Sequence, residues 1–355
     1  MIKEKGEDME QELAEIKESK IKISIKKIKK VKEEPKEAKK ELAITDLPGV
    51  GEVTAEKLIE SGFTDLISIA VATPSELVEA SGVTDATARK IIQACRDNLE
   101  MGFITGTELL EKRKSVFRIK TDSENINKLL NGGFEAGSIT ECFGEFGSGK
   151  TQIGHHLCVS LMAQKDQFEQ EPYVIYIDTE ATFRPERIKQ MAEAKGLDPD
   201  YVLSHIKVAK ALTSDHQSLL AEKILDLARD PDHPLNVKLV IVDSLTAKFR
   251  VEFLGRGTLS ERQQKLNKHL HTLMKVADLC NAVVYVSNQV QSSPDVFFGD
   301  PTKSVGGHIV GHASTYRIYL RKGKKGSRVA KLIDSASLPE GEAIFMVDEK
   351  GIHDI

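Results

Sequence analysis

The segment GEFGSGKT, residues 144–151, constrains this chain more than any other part of its sequence. It matches the pattern G-x-x-x-x-G-K-[S/T] and follows an apolar segment, residues 138–143, that is typical of a buried strand. Glycines allow such a loop to curl until its backbone N–H groups converge at the start of a helix, where they bind phosphate oxygens. The sequence therefore predicts a strand, a phosphate-binding loop and a helix in that order, which is typical of an α/β fold.

Each residue of this loop is a candidate contact for a nucleoside triphosphate. Lys150 is expected to reach the β- and γ-phosphates, and the Thr151 hydroxyl is expected to bind Mg²⁺. ATP and Mg²⁺ are therefore the expected cofactors. The predicted nucleotide contacts extend one residue beyond the motif and comprise Gly144, Glu145, Phe146, Gly147, Ser148, Gly149, Lys150, Thr151 and Gln152.

Acidic residues end two further apolar segments. In KLVIVDS, residues 238–244, Asp243 ends a predicted strand and is expected to bind the magnesium ion through water. In YIDTEATFRPER, residues 176–187, Glu180 is the candidate for the group that positions water against the γ-phosphate. Spacing alone leaves a second interpretation open, in which Glu180 is a surface acid at the start of a helix that begins at Thr179 or Thr182.

Apolar runs alternate with helical segments around these motifs. The clearest predicted strands are SITECFG, YVIYIDT, KLVIVDS, AVVYVSN and TYRIYLR. Their near-continuous hydrophobicity indicates strands that are covered on both faces, as in a parallel sheet with crossover helices. An α/β core is therefore predicted for residues 115–355.

The chain before this core divides into three parts. Residues 1–42 are rich in Lys and Glu and lack aromatic residues, so they are predicted to be a disordered tail, with an accessory DNA or partner contact as the alternative. Residues 43–100 are predicted to be a small bundle of four or five short helices, with tight turns at Gly51 and Gly82. Residues 101–114 are predicted to be a linker.

Two glycine-containing polar stretches in the core lack a strong secondary-structure signal. They are residues 249–263, with Arg250 and Arg256, and residues 291–308, with Phe297. Arginines with glycines suit single-stranded nucleic acid, because a flexible backbone can follow the phosphates. Phe297 and its neighbours are predicted either to contact bases or to anchor the second loop in the core.

The phrase LPGVG in the helical block resembles a helix-hairpin-helix. In that motif, backbone amides of residues such as Gly49, Val50 and Gly51 meet a DNA phosphate without reading sequence. For so short a motif, protein docking or simple packing remains the alternative.

Composition limits the other classes of function. A net charge of −4 does not favour nucleic acid, so any DNA contact requires local basic patches. The four cysteines form no C-x-x-C pair, which argues against a disulfide framework or a zinc site. No apolar run approaches the ~20 residues of a bilayer crossing, and the amino terminus is too charged for a signal peptide. A cytoplasmic protein without membrane contact is expected.

Taken in order, these segments resemble the RadA recombinases of archaea and their eukaryotic counterparts. The resemblance covers residues 44–355 and rests on the helix-hairpin-helix, GEFGSGKTQ, YIDTE-x-TFRPER, VDS, GRG-x-LS-x-RQ, SNQV, GGHIVGHAST and LPEGEAIF. It implies a RecA-like ATPase core with a mainly parallel twisted sheet, preceded by a small all-α helix-hairpin-helix domain. It also implies a DNA-dependent ATPase that forms rings or helical filaments on single-stranded DNA and pairs that strand with homologous duplex DNA.

The same resemblance implies roles for individual residues. Glu180 becomes the water-activating carboxylate, Gln289 a γ-phosphate sensor, and Arg187 a residue near the adenine. The implied DNA-loop positions are Arg250, Arg256, Gly257, Val290, Phe297 and Gly306. The implied positions at the ATP of an adjacent subunit are His312, Asp334 and Pro339. The implied subunit-interface positions are Phe103 and Gly106.

Three residues depart from the family pattern. Ala181 stands where the family usually has glycine, and its methyl group would alter the local backbone if φ is positive there. Gly106 occupies a position that is often Ala, and Ala336 replaces a common Pro. Two functional alternatives stay open, namely a regulatory recombinase paralogue that binds ATP and DNA without exchanging strands, and a small-molecule kinase.

Overall fold

The computed structural model describes residues 43–63, 66–99, 104–230, 233–255, 257–292 and 302–355. The predictions for the tail, for Phe103, for Arg256 and for Phe297 therefore lie outside the described residues. Two compact units divide the chain, Met1–Phe103 and Ile104–Ile355.

The described part of the smaller unit is helical. A 3₁₀ turn, Ile44–Asp46, precedes α1 (Glu52–Glu60), α2 (Leu66–Val71), α3 (Pro74–Ser81) and α4 (Asp85–Asn98). The apolar faces of these helices bury Leu58, Ile69, Leu77 and Ile91 in a shared core. This agrees with the predicted bundle of four or five short helices.

The tight turn that the sequence predicts at Gly51 lies at Gly49 instead. Gly49 has φ +83°, a left-handed conformation that disfavours side chains, whereas Gly51 has φ −92° and is the N-cap of α1. A Cβ atom at position 49 would also lie 3.0 Å from Cγ2 of Thr87 on α4. The prediction for Gly51 is wrong because the chain reverses before the cap, while the turn predicted at Gly82 is confirmed by its φ of +75°.

The larger unit alternates strands with helices. Its helices are α5 (Gly106–Lys114), α6 (Glu124–Leu129), α7 (Lys150–Ala163), α8 (Pro185–Ala194), α9 (Pro199–Ser204), α10 (Ser214–Ala228), α11 (Ala247–Glu252), α12 (Leu259–Leu279) and α13 (Gly307–Ala313). Its strands are β1 (Arg118–Ile119), β2 (Phe134–Glu135), β3 (Ser138–Gly144), β4 (Tyr173–Asp178), β5 (Ile206–Lys210), β6 (Val237–Asp243), β7 (Val283–Asn288), β8 (Val290–Ser292), β9 (Thr302–Ser304), β10 (Tyr316–Lys322), β11 (Arg328–Ser335), β12 (Gly341–Asp348) and β13 (Gly351–His353).

In the described part of this unit, nine strands form one sheet in the order β13-β12-β11-β10-β3-β7-β6-β4-β5. The six strands from β10 to β5 are parallel, and β11, β12 and β13 extend the sheet in antiparallel fashion. The five predicted strands and the mainly parallel α/β fold are confirmed. The antiparallel extension was not predicted, because its strands alternate buried and exposed residues and lack a continuous apolar run.

Both faces of the parallel strands are covered. Along β4, Val174 and Tyr176 belong to one apolar cluster, whereas Ile175 and Ile177 belong to the cluster on the opposite face. This double burial leaves the carboxyl ends of the strands as the edge at which polar side chains meet.

None of the described helices has both the length and the apolar composition to cross a bilayer.

Much of residues 249–263 is helical, although this stretch carries no strong secondary-structure signal in the sequence. Residues up to Glu252 complete α11, and α12 begins at Leu259 and continues for 21 residues. Phe249 is buried, and it belongs to the same apolar cluster as Leu266 and Leu270 of α12. Its ring also contacts that of His269 on the same helix, with centroids 5.9 Å apart. The glycines in this stretch weaken the local helix signal, and the helices are stabilised by tertiary packing rather than by local propensity.

Candidate functional site

The phosphate-binding loop predicted from GEFGSGKT lies between β3 and α7. Its backbone takes left-handed conformations at Gly147 (φ +76°) and Gly149 (φ +106°), which only glycine adopts at low cost. Ser148 is buried, and its backbone N–H donates to the Glu145 carbonyl oxygen over 3.2 Å. The loop therefore presents backbone N–H groups at the amino terminus of a 14-residue helix, where they favour anions.

The ammonium group of Lys150 lies over the mouth of this loop. Its Nζ atom donates to the carbonyl oxygens of Gly144 and Glu145, at 2.8 and 2.9 Å. Burial lowers the pKa of Lys150, and the carboxylates of Asp243 and Glu180 act in the opposite direction. The side chain is thus a cation held among acceptors at the start of α7.

Asp243 ends β6 and collects hydroxyl donors from neighbouring elements. Its Oδ2 atom accepts hydrogen bonds from Thr151 Oγ1 at 2.7 Å and from the Tyr176 hydroxyl at 3.0 Å, and its Oδ1 atom accepts one from Ser287 Oγ. Burial, with a smaller effect of the Asp243 charge, raises the pKa of Tyr176 well above its usual range. The two predicted magnesium ligands, Thr151 and Asp243, are therefore in direct contact.

Glu180 lies in the loop that follows β4. Its Oε1 atom accepts hydrogen bonds from Ser244 Oγ at 2.7 Å and from Gln289 Nε2 at 2.8 Å. The Asp178 carboxylate fixes this loop by accepting from the backbone N–H groups of residues 180, 182 and 183. Helix α8 begins only at Pro185, so the alternative in which Thr179 or Thr182 starts a helix is wrong.

Ala181, which stands where the family usually has glycine, has a positive φ angle. Ala181 has φ +58°, in the left-handed region where a β-carbon is disfavoured. Its carbonyl oxygen accepts a hydrogen bond from Arg184 Nη1 at 3.0 Å. The methyl group therefore stands at a position whose conformation suits glycine.

Gln289 connects this loop to a second element. While its Nε2 atom donates to Glu180, its Oε1 atom accepts from Arg250 Nη1 on α11 at 3.1 Å. Residues 180, 250 and 289 are far apart in sequence, and the parallel strands β4, β6 and β7 bring their ends to the same edge of the sheet.

A cavity of about 570 Å³ joins these groups. The predicted residues that line it are Gly144, Glu145, Phe146, Gly147, Gly149, Lys150, Thr151, Gln152, Glu180, Asp243, Gln289 and Val290. Ser244 and Ser287 also line the cavity but were not predicted, although polar residues at the ends of parallel strands indicate such a site. Sequence analysis also missed Arg328 and Val347, which come from β11 and β12 and carried no recognisable spacing.

Arg187 on α8 approaches the loop from the side. Its Nε atom donates to Gln152 Oε1 at 2.9 Å, and its Nη1 atom donates to the Glu349 carbonyl oxygen at 3.0 Å. Arg187 thus joins the start of α7 to the turn between β12 and β13. It does not line the 570 Å³ cavity but is bonded to Gln152, which does.

Comparisons with known proteins show which family this chain belongs to. The Rad51 family model matches residues 112–355. The chain belongs to the Rad51 family. "DNA repair and recombination protein RadA" of Methanococcus maripaludis strain C5 is 51% identical over 283 residues, which are 77% of this chain and 87% of the relative. The protein of the same name from strain DSM 14266 of that species has the same identity and coverage.

A second model, described as a SAM-like helix-hairpin-helix tandem, matches residues 41–97 of this Rad51-family chain. The hairpin lies between the 3₁₀ turn and α1, where Val50 is buried and its N–H donates to the Leu47 carbonyl oxygen at 3.1 Å. Gly49 and Gly51 are exposed beside it. The side chain of Val50 therefore packs inward, while the flanking glycine backbone faces outward.

The two predicted DNA stretches of this Rad51-family core have described residues beside Gln289, which lines the cavity. Arg250 lies on α11, and Gly257 lies in the turn before α12. Val290 starts the β8–β9 hairpin, which returns to Gly306, the N-cap of α13. The described roots of both stretches thus adjoin Gln289, and the intervening Phe297 is outside the described residues.

His312, Asp334 and Pro339 do not line the cavity at the phosphate loop. His312 and Asp334 line a separate cavity of about 360 Å³, together with Arg317 and Phe143. Pro339 is exposed in the turn between β11 and β12. Their implied approach to a neighbour's nucleotide therefore stays a prediction.

Gly106 is the first residue of α5, whose N-cap is Thr105. A Cβ atom at this position would meet no atom within 4 Å among the described residues, so nothing in the described chain accounts for glycine where the family often has Ala. Arg113 near the end of α5 donates to Glu135 at 2.8 Å, which attaches this helix to the core.

Proposed function

We propose that this chain is an ATP-dependent recombination and repair protein that forms filaments on single-stranded DNA and pairs that strand with homologous duplex DNA. The observation that carries the proposal is the pair of contacts made by Gln289, which joins Glu180 in the cavity to Arg250 in the first predicted DNA loop. Because one side chain contacts both regions, a shift of Gln289 when ATP binds or is hydrolysed would also move Arg250. The names of the Methanococcus relatives agree with this function.

The cavity fits a nucleoside triphosphate with Mg²⁺. Left-handed glycines and the amino terminus of α7 form a cradle for phosphates, with Lys150 at its mouth. Arg328 also lines the cavity and adds a second basic residue to Lys150, which suits an anionic ligand. Thr151 and Asp243 offer the hard oxygen ligands that Mg²⁺ prefers.

We assign the hydrolytic roles to groups around this cradle. Lys150 would hold the β- and γ-phosphates. Thr151 and Asp243 would hold a magnesium ion, which would supply positive charge against that of the phosphates. Glu180 orients a water molecule in line with the γ-phosphorus, and its hydrogen bonds from Ser244 and Gln289 fix the carboxylate for that task. Gln289 senses the γ-phosphate, and Arg187, through Gln152, steadies the side of the cavity that takes the base.

We assign DNA contacts to the two loops and to the helical hairpin. Arg250, Arg256 and Gly257 belong to the first loop, and Val290, Phe297 and Gly306 belong to the second. Arginine side chains meet the phosphates of single-stranded DNA. In the helical hairpin, backbone amides at Gly49 and Gly51 meet a DNA phosphate, whereas the Val50 N–H already donates to the Leu47 carbonyl oxygen. Base pairing then supplies sequence recognition, and the protein holds the strands.

We also propose that the protein self-associates through its core. Strand β5 is an edge of the nine-stranded sheet in the described structure, and Val208 on it and Leu212 after it are 44% and 66% exposed. An edge strand with exposed apolar side chains is a ready template for a neighbouring chain. Phe103 and Gly106 are the segment proposed to dock there, and the cavity of His312 and Asp334 is proposed to face the neighbour's ATP.

Neither alternative is retained. The small-molecule kinase does not fit membership of the Rad51 family. The regulatory paralogue does not fit relatives of 51% identity whose name is DNA repair and recombination protein. A reducing, cytoplasmic location forms part of the proposal, in line with four cysteines that are all free thiols.

The decisive experiment combines two assays on the purified full chain. ATP hydrolysis is measured with and without single-stranded DNA, and joint molecules are measured with a homologous duplex, ATP and Mg²⁺. The proposal predicts DNA-stimulated hydrolysis and joint molecules that require homology. Hydrolysis that ignores DNA, together with an absence of joint molecules, would refute it.

A further inference from the structure

We propose that Glu141, Asn288 and Arg317 are positioning residues that couple the nucleotide cavity to the roots of both predicted DNA loops. These three residues are called the buried network below. The inference rests on the proposed function, because it concerns how nucleotide state and DNA affect one another. None of the three side chains lines the 570 Å³ cavity.

Glu141 is the charged centre of the buried network. It is fully buried in the middle of β3, three residues before the phosphate loop begins. Its Oε2 atom accepts from Arg317 Nε on β10 at 2.8 Å, and its Oε1 atom accepts from Asn288 Nδ2 at the end of β7 at 2.7 Å. Apolar residues of similar volume often stabilise a core as well as a buried ion pair does, so stability alone does not account for the pair of Glu141 and Arg317.

Asn288 holds the roots of both loops with one amide. Its Oδ1 atom accepts from Thr246 Oγ1 at 2.7 Å, and Thr246 is the residue before α11, where the first loop begins. Its Nδ2 atom donates to the carbonyl oxygen of Val305 at 2.7 Å, where the second loop returns to the core. Because Glu141 fixes the orientation of this amide, the two roots are tied to the strand that leads into the phosphate loop.

The same amide also holds the residue that contacts the catalytic carboxylate. Asn288 Oδ1 accepts from the backbone N–H of Gln289 at 2.8 Å, and the side chain of Gln289 contacts Glu180. A change in the position of Gln289 therefore acts on the amide that holds both loop roots. Since hydrogen bonds in a buried network are strong and mutually dependent, the loops and Gln289 are expected to move as one unit.

Arg317 extends the network to the second cavity. Its Nη2 atom donates to Ser304 Oγ at 2.9 Å, just before Val305, and the side chain lines the 360 Å³ cavity that contains His312 and Asp334. The buried network therefore lies between the side of the core that holds its own nucleotide and the side assigned to a neighbour's nucleotide.

The core contains a matched control for a purely structural role. Glu135 is also a buried glutamate, and it is bound by two arginines, Arg113 and Arg118. None of its hydrogen bonds among the described residues reaches either loop root. Glu135→Gln therefore disrupts a comparable buried ion pair without touching the buried network.

The test compares Glu141→Gln with Glu135→Gln in the full chain. Four quantities are measured: the Kd of a fluorescent ATP analogue, the hydrolysis rate without DNA, the rate with saturating oligo-dT, and the affinity for labelled oligo-dT with ATP and with ADP. For Glu141→Gln, DNA stimulation and the ATP/ADP ratio of DNA affinities should each fall by about fivefold or more. The analogue Kd and the DNA-free rate should stay within about twofold of wild type.

A milder variant covers the case in which Glu141→Gln does not fold. Thr246→Val is nearly isosteric and removes only the hydroxyl that donates to Asn288, so it should lose DNA stimulation in the same direction. Unchanged stimulation in either folded variant, or an equal loss in Glu135→Gln, would overturn the inference. A wild-type protein whose hydrolysis ignores DNA would instead overturn the proposed function itself, so the two failures are distinguishable.

Discussion

The Nε2 atom of Gln289 lies 2.8 Å from the Oε1 atom of Glu180, although 109 positions separate the two residues in the chain. The amide can make this contact only as a donor, which leaves its oxygen to accept from Arg250. The proposed water-positioning carboxylate is therefore held by the same side chain that contacts Arg250, which belongs to the first proposed DNA loop. Chemical and DNA-binding changes at this point are expected to affect one another.

Glu180→Gln tests the role of the carboxylate. The amide is nearly isosteric but cannot act as a base, so ATP hydrolysis should fall by about 10²–10⁴-fold while ATP binding remains. The measurement is steady-state phosphate release beside the Kd of a fluorescent ATP analogue. Glu186→Gln, at an exposed acid on α8, is the matched control and should hydrolyse normally. Normal hydrolysis in Glu180→Gln would remove this residue from the proposed mechanism.

Lys150→Ala tests the phosphate contact. Loss of the ammonium group removes the cation at the mouth of the loop, so ATP-supported strand exchange should be abolished. Joint-molecule formation with homologous duplex DNA is the readout, and exposed Lys189→Ala on α8 serves as the control. Strand exchange at the wild-type rate in Lys150→Ala would contradict the assignment.

Ala181→Gly should stabilise the protein. The left-handed backbone at φ +58° costs an alanine more than a glycine, and the gain is partly offset by the greater freedom of glycine in the unfolded chain. The expected net effect is about 0.5–1 kcal/mol in the free energy of unfolding, measured by urea denaturation. Ala194→Gly, in the last turn of helix α8, should change stability in the opposite direction. Destabilisation by Ala181→Gly would mean that the loop relaxes to accept the methyl group.

Acid should destabilise the core through its buried histidines. Burial lowers the pKa of His155 and of His269 to about 4, from an ordinary value of 6.5. Between pH 6.5 and pH 4 the two histidines bind protons in the unfolded chain but not in the folded chain. Their burial therefore costs no stability above pH 6.5, and the free energy of unfolding decreases as the pH falls from 6.5 towards 4. Each histidine should cost about 2 kcal/mol at pH 5. Urea denaturation at pH 7.5 and pH 5 measures the difference in the free energy of unfolding. His155→Phe should reduce this difference, because phenylalanine binds no proton and can keep the ring contacts with Tyr176 and Phe183.

Phe103→Ala tests self-association. Loss of the aromatic side chain should abolish filaments with ATP and single-stranded DNA while the monomer remains folded, because burial of a phenylalanine in a partner contributes about 1.5–3 kcal/mol per contact. Electron microscopy and circular dichroism give the two readouts. Leu212→Ser, at the exposed residue after β5, should weaken the same assembly from the other side. Intact filaments in Phe103→Ala would contradict the interface assignment.

Local patterns predicted the phosphate loop, five strands and the helical bundle. A glycine-rich loop between a buried strand and a helix is typical of a phosphate-binding site, and continuous apolar runs indicate strands that are covered on both faces. The same information failed at residues 249–263, where α11 and the start of α12 depend on packing of Phe249. It also failed at Gly51, because Gly49 takes the positive φ and Gly51 instead is the N-cap of α1.

What the sequence alone determined is therefore the chemistry available at each strand end: Lys150 and Thr151 after β3, Glu180 after β4, Asp243 at β6 and Gln289 after β7. Tertiary structure alone decided which of these groups touch, because the order and register of the parallel strands set distances between residues that are remote in the chain. The contact between Glu180 and Gln289, and the bonds from Glu141 to Asn288 and Arg317, exist only once the sheet has formed.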